Sequence, residues 1–209
     1  MRTGVFGGTF DPMHTGHLDV ALAAQRALAL DVVQVMPARW PPHRSPPVVS
    51  ASHRFAMAAL AVQGHAGLVL SDLEMEAEGP SYTSATLDRL SAQGIDLTGL
   101  FLIAGADAFR DIASWKDYPG ILDRTHFVVV SRPGCAAPTL RHRLPDLAGR
   151  MIATPCEIPS RPRIFLVDAP TAPVSSTAVR ERLARGQAID GLVAPAVKTY
   201  IETQDLYHA

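Results

Sequence analysis

The sequence predicts one α/β domain built on a doubly wound parallel sheet with helices on both faces. Three observations carry this expectation. Short runs that are apolar on nearly every residue recur along the 209-residue chain, as strands covered on both faces must be. Segments long enough for crossover helices alternate with them. The chain is 47% hydrophobic and 19% charged, which supplies a substantial core and excludes a disordered polymer.

Taken in order, the first strand is Thr3–Gly7 and the first helix Gly16–Leu30, followed by a strand at Val32–Met36. Arg39–Pro47 holds four prolines and is read as a loop, since proline cannot donate to a ladder or continue a helix. A helix over Ala51–Gln63, a strand at Leu68–Leu73 and a helix over Thr83–Gln93 come next, then strands at Leu100–Ala104 and His126–Ser131. Gly134–Arg163 carries five prolines and five arginines against two acids, and reads as an irregular connection before the strand Ile164–Val167. Ser175 or Ser176 is a good N-cap for a helix whose apolar face is Val179 and Leu183, with Gly186 as its stop. Val197, Tyr200 and Ile201 repeat at helical spacing after Pro195, so a final helix docks on the core.

Nineteen Lys and Arg against 20 Asp and Glu leave a net charge of −1, which disfavours a nucleic-acid partner. Cys135 and Cys156 cannot form a disulfide framework and lack metal-ligand spacing. The N-terminus has no secretory h-region, and the most apolar stretch, 20–35, is interrupted by Gln25, Arg26 and Asp31. The expectation is a soluble, cytoplasmic protein with no membrane association.

In doubly wound sheets, ligands bind beyond the carboxyl ends of the strands. The first strand runs into Gly7-Gly8-Thr9-Phe10-Asp11-Pro12-Met13-His14-Thr15-Gly16-His17. Paired glycines let backbone approach a ligand, and a following helix N-terminus attracts an anion. His14 and His17 lie three apart, so at the start of a helix they share a face and can donate to phosphate oxygens. The segment is neither G-x-x-x-x-G-K-[ST] nor G-x-G-x-x-G, so neither a P-loop nor hydride transfer is indicated. A second constellation is Ser175-Ser176-Thr177…Arg180, where hydroxyls, helix N–H groups and a guanidinium could converge on one phosphate.

The first segment resembles the GGxFDPxHxGH signature of the Rossmann-like nucleotidyltransferases related to class I aminoacyl-tRNA synthetases, and Val174–Arg180 resembles their ISSTxxR motif. Pro41-Pro42-His43-Arg44, Ser81-Tyr82-Thr83, Ala104-Gly105-Ala106-Asp107, Ser114-Trp115, Arg132-Pro133-Gly134 and Tyr200-Ile201…Leu206-Tyr207 further resemble the bacterial nicotinate-mononucleotide adenylyltransferase family. This resemblance spans nearly the whole chain apart from 135–163. It implies that Gly7, Gly8, Thr9, Phe10, Gly105 and Asp107 line an ATP site, with Ser175, Ser176, Thr177 and Arg180 on its phosphates. It implies further phosphate contacts from His43, Arg44 and Arg132, and a nicotinate mononucleotide site at Thr83 and Trp115, the indole stacking on a cationic ring. Two departures are Arg44, where lysine is usual, and Lys116, where an aromatic is frequent. Alternatives stand beside four of these roles: Thr83 or Asp107 could be helix caps, Trp115 a core residue, and His43 simply a residue of its loop.

The implied reaction is adenylyl transfer from ATP to nicotinate mononucleotide, with His14, His17 and Arg180 catalytic and Mg²⁺ arriving on the nucleotide rather than in a carboxylate cage. Alternatives are another acceptor, either nicotinamide mononucleotide or phosphopantetheine, and a noncatalytic nucleotide sensor. The chain is expected to be a monomer or homodimer.

Overall fold

A computed structural model describes residues 1–42, 46–153 and 159–208. His43, Arg44 and Cys156 lie outside them. Seven strands form one sheet: β1 (Thr3–Gly8), β2 (Val32–Pro37), β3 (Leu68–Leu70), β4 (Leu100–Gly105), β5 (His126–Val130), β6 (Met151–Ile152) and β7 (Ile164–Val167), in the order β3-β2-β1-β4-β5-β7-β6. Every pairing is parallel. The helices are α1 (Thr15–Leu28), α2 (Ala51–Val62), α3 (Thr83–Ala92), α4 (Ala106–Phe109), α5 (Leu140–Arg143), α6 (Ser176–Ala184) and α7 (Pro195–Thr203).

Strand period 2 divides the apolar residues between two cores. Phe6, Val33, Val35, Phe101, Ile103, Val128, Val130, Phe165 and Val167 face one side, where α1, α2, α6 and α7 pack through residues such as Leu28, Met57, Val179 and Val197. Their neighbours Val5, Leu102, Phe127, Val129 and Leu166 face the other, against Leu87 and Leu90 of α3, Phe109 of α4 and Leu140 of α5. Both faces are thereby covered, as the uninterrupted apolar runs require.

Two expectations need correction. The third strand stops at Leu70 rather than Leu73. Val33 donates to Gly67 and Ser71 to Val35, so the next donor in that register falls at Pro37, which has no N–H. The described part of the connection over 134–153 is also more regular than expected. Ala137, Leu140 and Leu147 are buried, and Met151–Ile152 adds an edge strand to β7. Pro138 and Pro145 open helical turns there instead of breaking them.

The winding reverses between β1 and β4, which places the ligand crevice at their carboxyl ends. Their ladder runs only from Thr3↔Leu100 to Val5↔Leu102. Beyond it β1 stays paired with β2 as far as Pro37, while β4 stays paired with β5 as far as Val130. The ends of the two central strands therefore separate and leave a cleft.

The rim of this cleft is fastened by Arg54 from the first turn of α2, a side chain only 1% exposed. One Nη donates to the carbonyls of Thr9 and Ala38 at 2.7 and 2.6 Å, and the other to Arg39 at 3.1 Å. The segments leaving β1 and β2 are thus tied through one guanidinium. Replacing it by a side chain of similar size without donors, Arg54→Met, is expected to cost about 3 kcal/mol, because buried carbonyls lose their partners. A urea midpoint unchanged from wild type would show that these bonds do not hold the rim.

Candidate active site

The segment after β1 turns sharply at Phe10, whose φ is +49°. Its buried ring stacks edge-on against Phe6 and His17, with centroids 5.4 and 5.0 Å away. Asp11 then enters the interior at 5% exposure. Its carboxylate accepts from the Tyr207 hydroxyl at 2.7 Å and the Val48 N–H at 2.8 Å. Burial, followed by the bond to Asp11, drives the Tyr207 hydroxyl far above its ordinary pKa, so it stays protonated and keeps donating.

His14 caps α1 with extended backbone and is 2% exposed. Its N–H donates to Nδ1 of His17 at 3.3 Å, and the two rings stack with centroids 3.6 Å apart. Because His17 Nδ1 is an acceptor, its proton sits on Nε2, which leaves that atom a donor. Nδ1 of His14 is buried with no hydrogen-bond partner among the described residues. Burial, with the nearby Arg132 charge adding to it, lowers the His14 pKa to about 3. His14 is therefore a neutral imidazole at physiological pH.

Arg132 explains why residue 16 is glycine. Its Nη atoms donate to the carbonyls of Gly16 and Val174, each at 3.0 Å. A Cβ on Gly16 would lie 2.7 Å from one Nη and 2.9 Å from the Ala172 carbonyl. Arg132 thus braces α1 against the segment before α6, and any phosphate contact would have to use its remaining N–H groups. At the end of β4, a Cβ on Gly105 would lie 2.5 Å from an Asp107 carboxylate oxygen and 3.1 Å from Arg132 Cγ. Gly105, not Asp107, occupies the N-cap of α4, so Asp107 presents its exposed carboxylate from the first turn.

The α6 constellation docks on the same loop. Ser175 is the N-cap, its Oγ accepting from the Ala178 N–H at 3.1 Å. Ser176 Oγ donates to the Pro12 carbonyl at 2.9 Å. Arg180 donates to the Asp11 carbonyl at 2.6 Å and to Thr177 Oγ1 at 3.3 Å, and lies 3.9 Å from the Asp11 carboxylate. The first N–H groups of α6 have no intrahelical acceptor and are suited to an anion. Hence the two motifs separated by some 160 residues meet through Asp11 and Pro12.

Thr83 and Trp115 lie on two segments joined by a contact between their neighbours. Thr83 is the first residue of α3, with Tyr82 at the N-cap. Among the described residues, no hydrogen bond occupies the Thr83 hydroxyl, so it is not a cap. Trp115 is half-buried, its ring 6.4 Å from that of Phe127, so it combines a core anchor with an accessible edge. The ammonium of Lys116 lies 4.9 Å from the centroid of the Tyr82 ring and joins the two segments. Asp11's buried role, Arg54 and Tyr207 had escaped sequence reading. Asp11 is within the motif, but Tyr207 bonds it from 196 positions away, a relation with no local signal.

A depressed His14 pKa has a consequence for stability. The unfolded chain binds a proton near pH 6.5 that the folded chain refuses until about pH 3. The contribution is present above pH 6.5 and is lost as pH falls toward 3. Between pH 7.5 and 5, wild type should lose about 2 kcal/mol more unfolding free energy than His14→Gln. Equal losses in urea titrations at the two pH values would show that His14 accepts protons freely in the folded state.

A model of the cytidylyltransferase-like family matches residues 5–182. A relative from Desulfatibacillum aliphaticivorans is 38% identical over 99% of this chain and 100% of its own length. Another from Roseiflexus sp. strain RS-1 is 41% identical over 98% of this chain and 96% of its own. Both carry the name "probable nicotinate-nucleotide adenylyltransferase". Among solved structures, the Plasmodium falciparum nicotinic acid mononucleotide adenylyltransferase complexed with NaAD superposes with a TM-score of 0.70 at 18% identity, covering 98% of this chain and 96% of that one. That likeness speaks for the fold, whereas full-length identity near 40% speaks for the family. With its paired histidines and α6 constellation gathered at the β1–β4 cleft, the chain belongs to the cytidylyltransferase-like family and, within it, to the nicotinate-nucleotide adenylyltransferases.

Proposed function

We propose that this enzyme transfers the adenylyl group of ATP to nicotinate mononucleotide, forming deamido-NAD and releasing pyrophosphate in NAD biosynthesis. The observation that carries the reading is the stacked His14–His17 pair at the start of α1, beside a loop gripped by Arg180 and Ser176. In this reading Gly7, Gly8, Thr9 and Phe10 line the ATP site. A Cβ on Gly7 would meet only the Met36 carbonyl, at 4.0 Å, so a nucleotide can lie against backbone there. Gly105 and Asp107 take the ribose, while Ser175, Ser176, Thr177 and Arg180 take phosphates. His43 and Arg44 are proposed as additional phosphate contacts. Thr83 and Trp115 hold the mononucleotide.

An oxygen of the acceptor's 5′-phosphate attacks the α-phosphorus of ATP. A P–O bond forms in line as the bond from that phosphorus to the bridging β-phosphate oxygen breaks, and pyrophosphate departs with the electron pair. A phosphate monoester is already ionised near neutral pH, so no general base is required. Catalysis is then positioning plus electrostatic stabilisation. His17 donates from Nε2 to an α-phosphate oxygen as its charge grows, and Arg180 stabilises the departing pyrophosphate. His14, neutral and stacked on His17, fixes that ring through its own N–H. Mg²⁺ enters as part of the MgATP substrate. Asp11's oxygens are taken by Tyr207 and Val48.

The direct test is pyrophosphate release from MgATP by purified protein, with nicotinate mononucleotide and its amide compared as acceptors. Turnover strongly favouring the acid is expected; turnover with phosphopantetheine alone would reassign the acceptor. His17→Ala should lower kcat by about 10²-fold, the scale of one preorganised donor. Near-normal kcat in the folded variant would remove His17 from the catalytic group.

A further inference from the structure

Lys116 follows Trp115 directly. Its backbone is fixed: the Tyr118 N–H donates to the Trp115 carbonyl at 3.2 Å, closing a turn. Asp117 supplies the positive φ, +65°, that such a turn needs at its third position. The side chain leaves this turn with its ammonium over Tyr82, 4.9 Å from the ring centroid. Tyr82 is the N-cap of α3 and the immediate neighbour of Thr83. Among the described residues, no carboxylate forms an ion pair with Lys116. A cation without a carboxylate partner is thus placed between the two segments that the proposed reading assigns to the mononucleotide.

We infer that the Lys116 ammonium is a specificity-determining group that selects an acceptor bearing a carboxylate on its pyridinium ring. The inference rests on the adenylyl-transfer reading above. The pyridinium ring of either mononucleotide is cationic. In the acid, the ring carboxylate compensates that charge and offers Lys116 a partner. In the amide the ring charge is uncompensated and is repelled. One ammonium therefore acts twice, by attraction to the right acceptor and repulsion of its competitor, which is how a difference of affinities is widened. Both acceptors share the same ribose phosphate, so a contact to phosphate would not discriminate between them.

The experiment compares kcat/KM for nicotinate mononucleotide and its amide in wild type, Lys116→Met and Lys116→Arg. Methionine keeps the length and apolar stem of the side chain without its charge. The acid-to-amide ratio should fall about tenfold in Lys116→Met, a change equivalent to about 1.4 kcal/mol, and should be kept by Lys116→Arg. Because the ammonium is solvent-exposed, raising salt from about 0.05 to 0.5 M should erode the ratio in wild type more than in Lys116→Met. An unchanged ratio in Lys116→Met, or equal losses for both acceptors, would overturn the assignment. Wild type that uses neither mononucleotide would instead overturn the reading on which it rests, and the assignment with it.

Discussion

The site depends on a loop that is not held by regular secondary structure, and buried charge holds it instead. Between β1 and α1 the chain must leave the sheet, approach the cleft and return as a helix, and its backbone carbonyls cannot all be paired within a ladder. Arg54 satisfies Thr9, Ala38 and Arg39. Arg180 satisfies Asp11 from the opposite side, and Ser176 satisfies Pro12. The Asp11 carboxylate faces both guanidinium groups and receives the Tyr207 hydroxyl. A buried charge left without partners costs several kcal/mol, so each member of this group is worth keeping only while the others are present. That mutual dependence makes the loop a single structural unit rather than a flexible tether.

Electrostatics at the site follow from the same construction. Arg132 and Arg180 place positive charge beside the cleft, and α1 and α6 begin there with their N-termini. In the proposed reaction a polyphosphate would meet donors already oriented, at no reorganisation cost when charge shifts. Burial, with the Arg132 charge adding to it, keeps His14 neutral. A neutral imidazole has one donor and one acceptor, so its place beside His17 specifies geometry more than charge. Catalysis by alignment is consistent with a nucleophile that needs no deprotonation.

How much of this was readable in the sequence depended on how local each signal was. The strands at the heart of the sheet were legible because burial on both faces leaves long apolar runs, as in Phe127–Val130. His14, Gly16 and His17 were legible because eleven consecutive residues carry the motif. By contrast, the edge strand Met151–Ile152 has too few residues to show any period. The early end of β3 depended on Pro37, a residue of a different strand. Arg54 carries no signal of its own in the sequence, since nothing within its segment announces carbonyls contributed from two strand ends. The link between the segments that carry Thr83 and Trp115 likewise rests on a contact between Tyr82 and Lys116, 34 positions apart in sequence.

The C-terminal residues show why such long-range relations persist. Tyr207 is 8% exposed and its hydroxyl lies 2.7 Å from Asp11, so the end of the chain closes over the start of the catalytic loop. Helix α7 brings it there: Val197 and Ile201 fill the core beneath, and Tyr200 hydrogen-bonds His53 of α2 at 3.0 Å. Arg54 follows His53 directly, so the same first turn of α2 meets both the final helix and the carbonyls of the rim. Packing of α7 on α2 and placement of the loop are thus linked through adjacent residues. A substitution on the buried face of α7 would therefore act on the site without touching a substrate, by loosening the turn from which Arg54 reaches the rim.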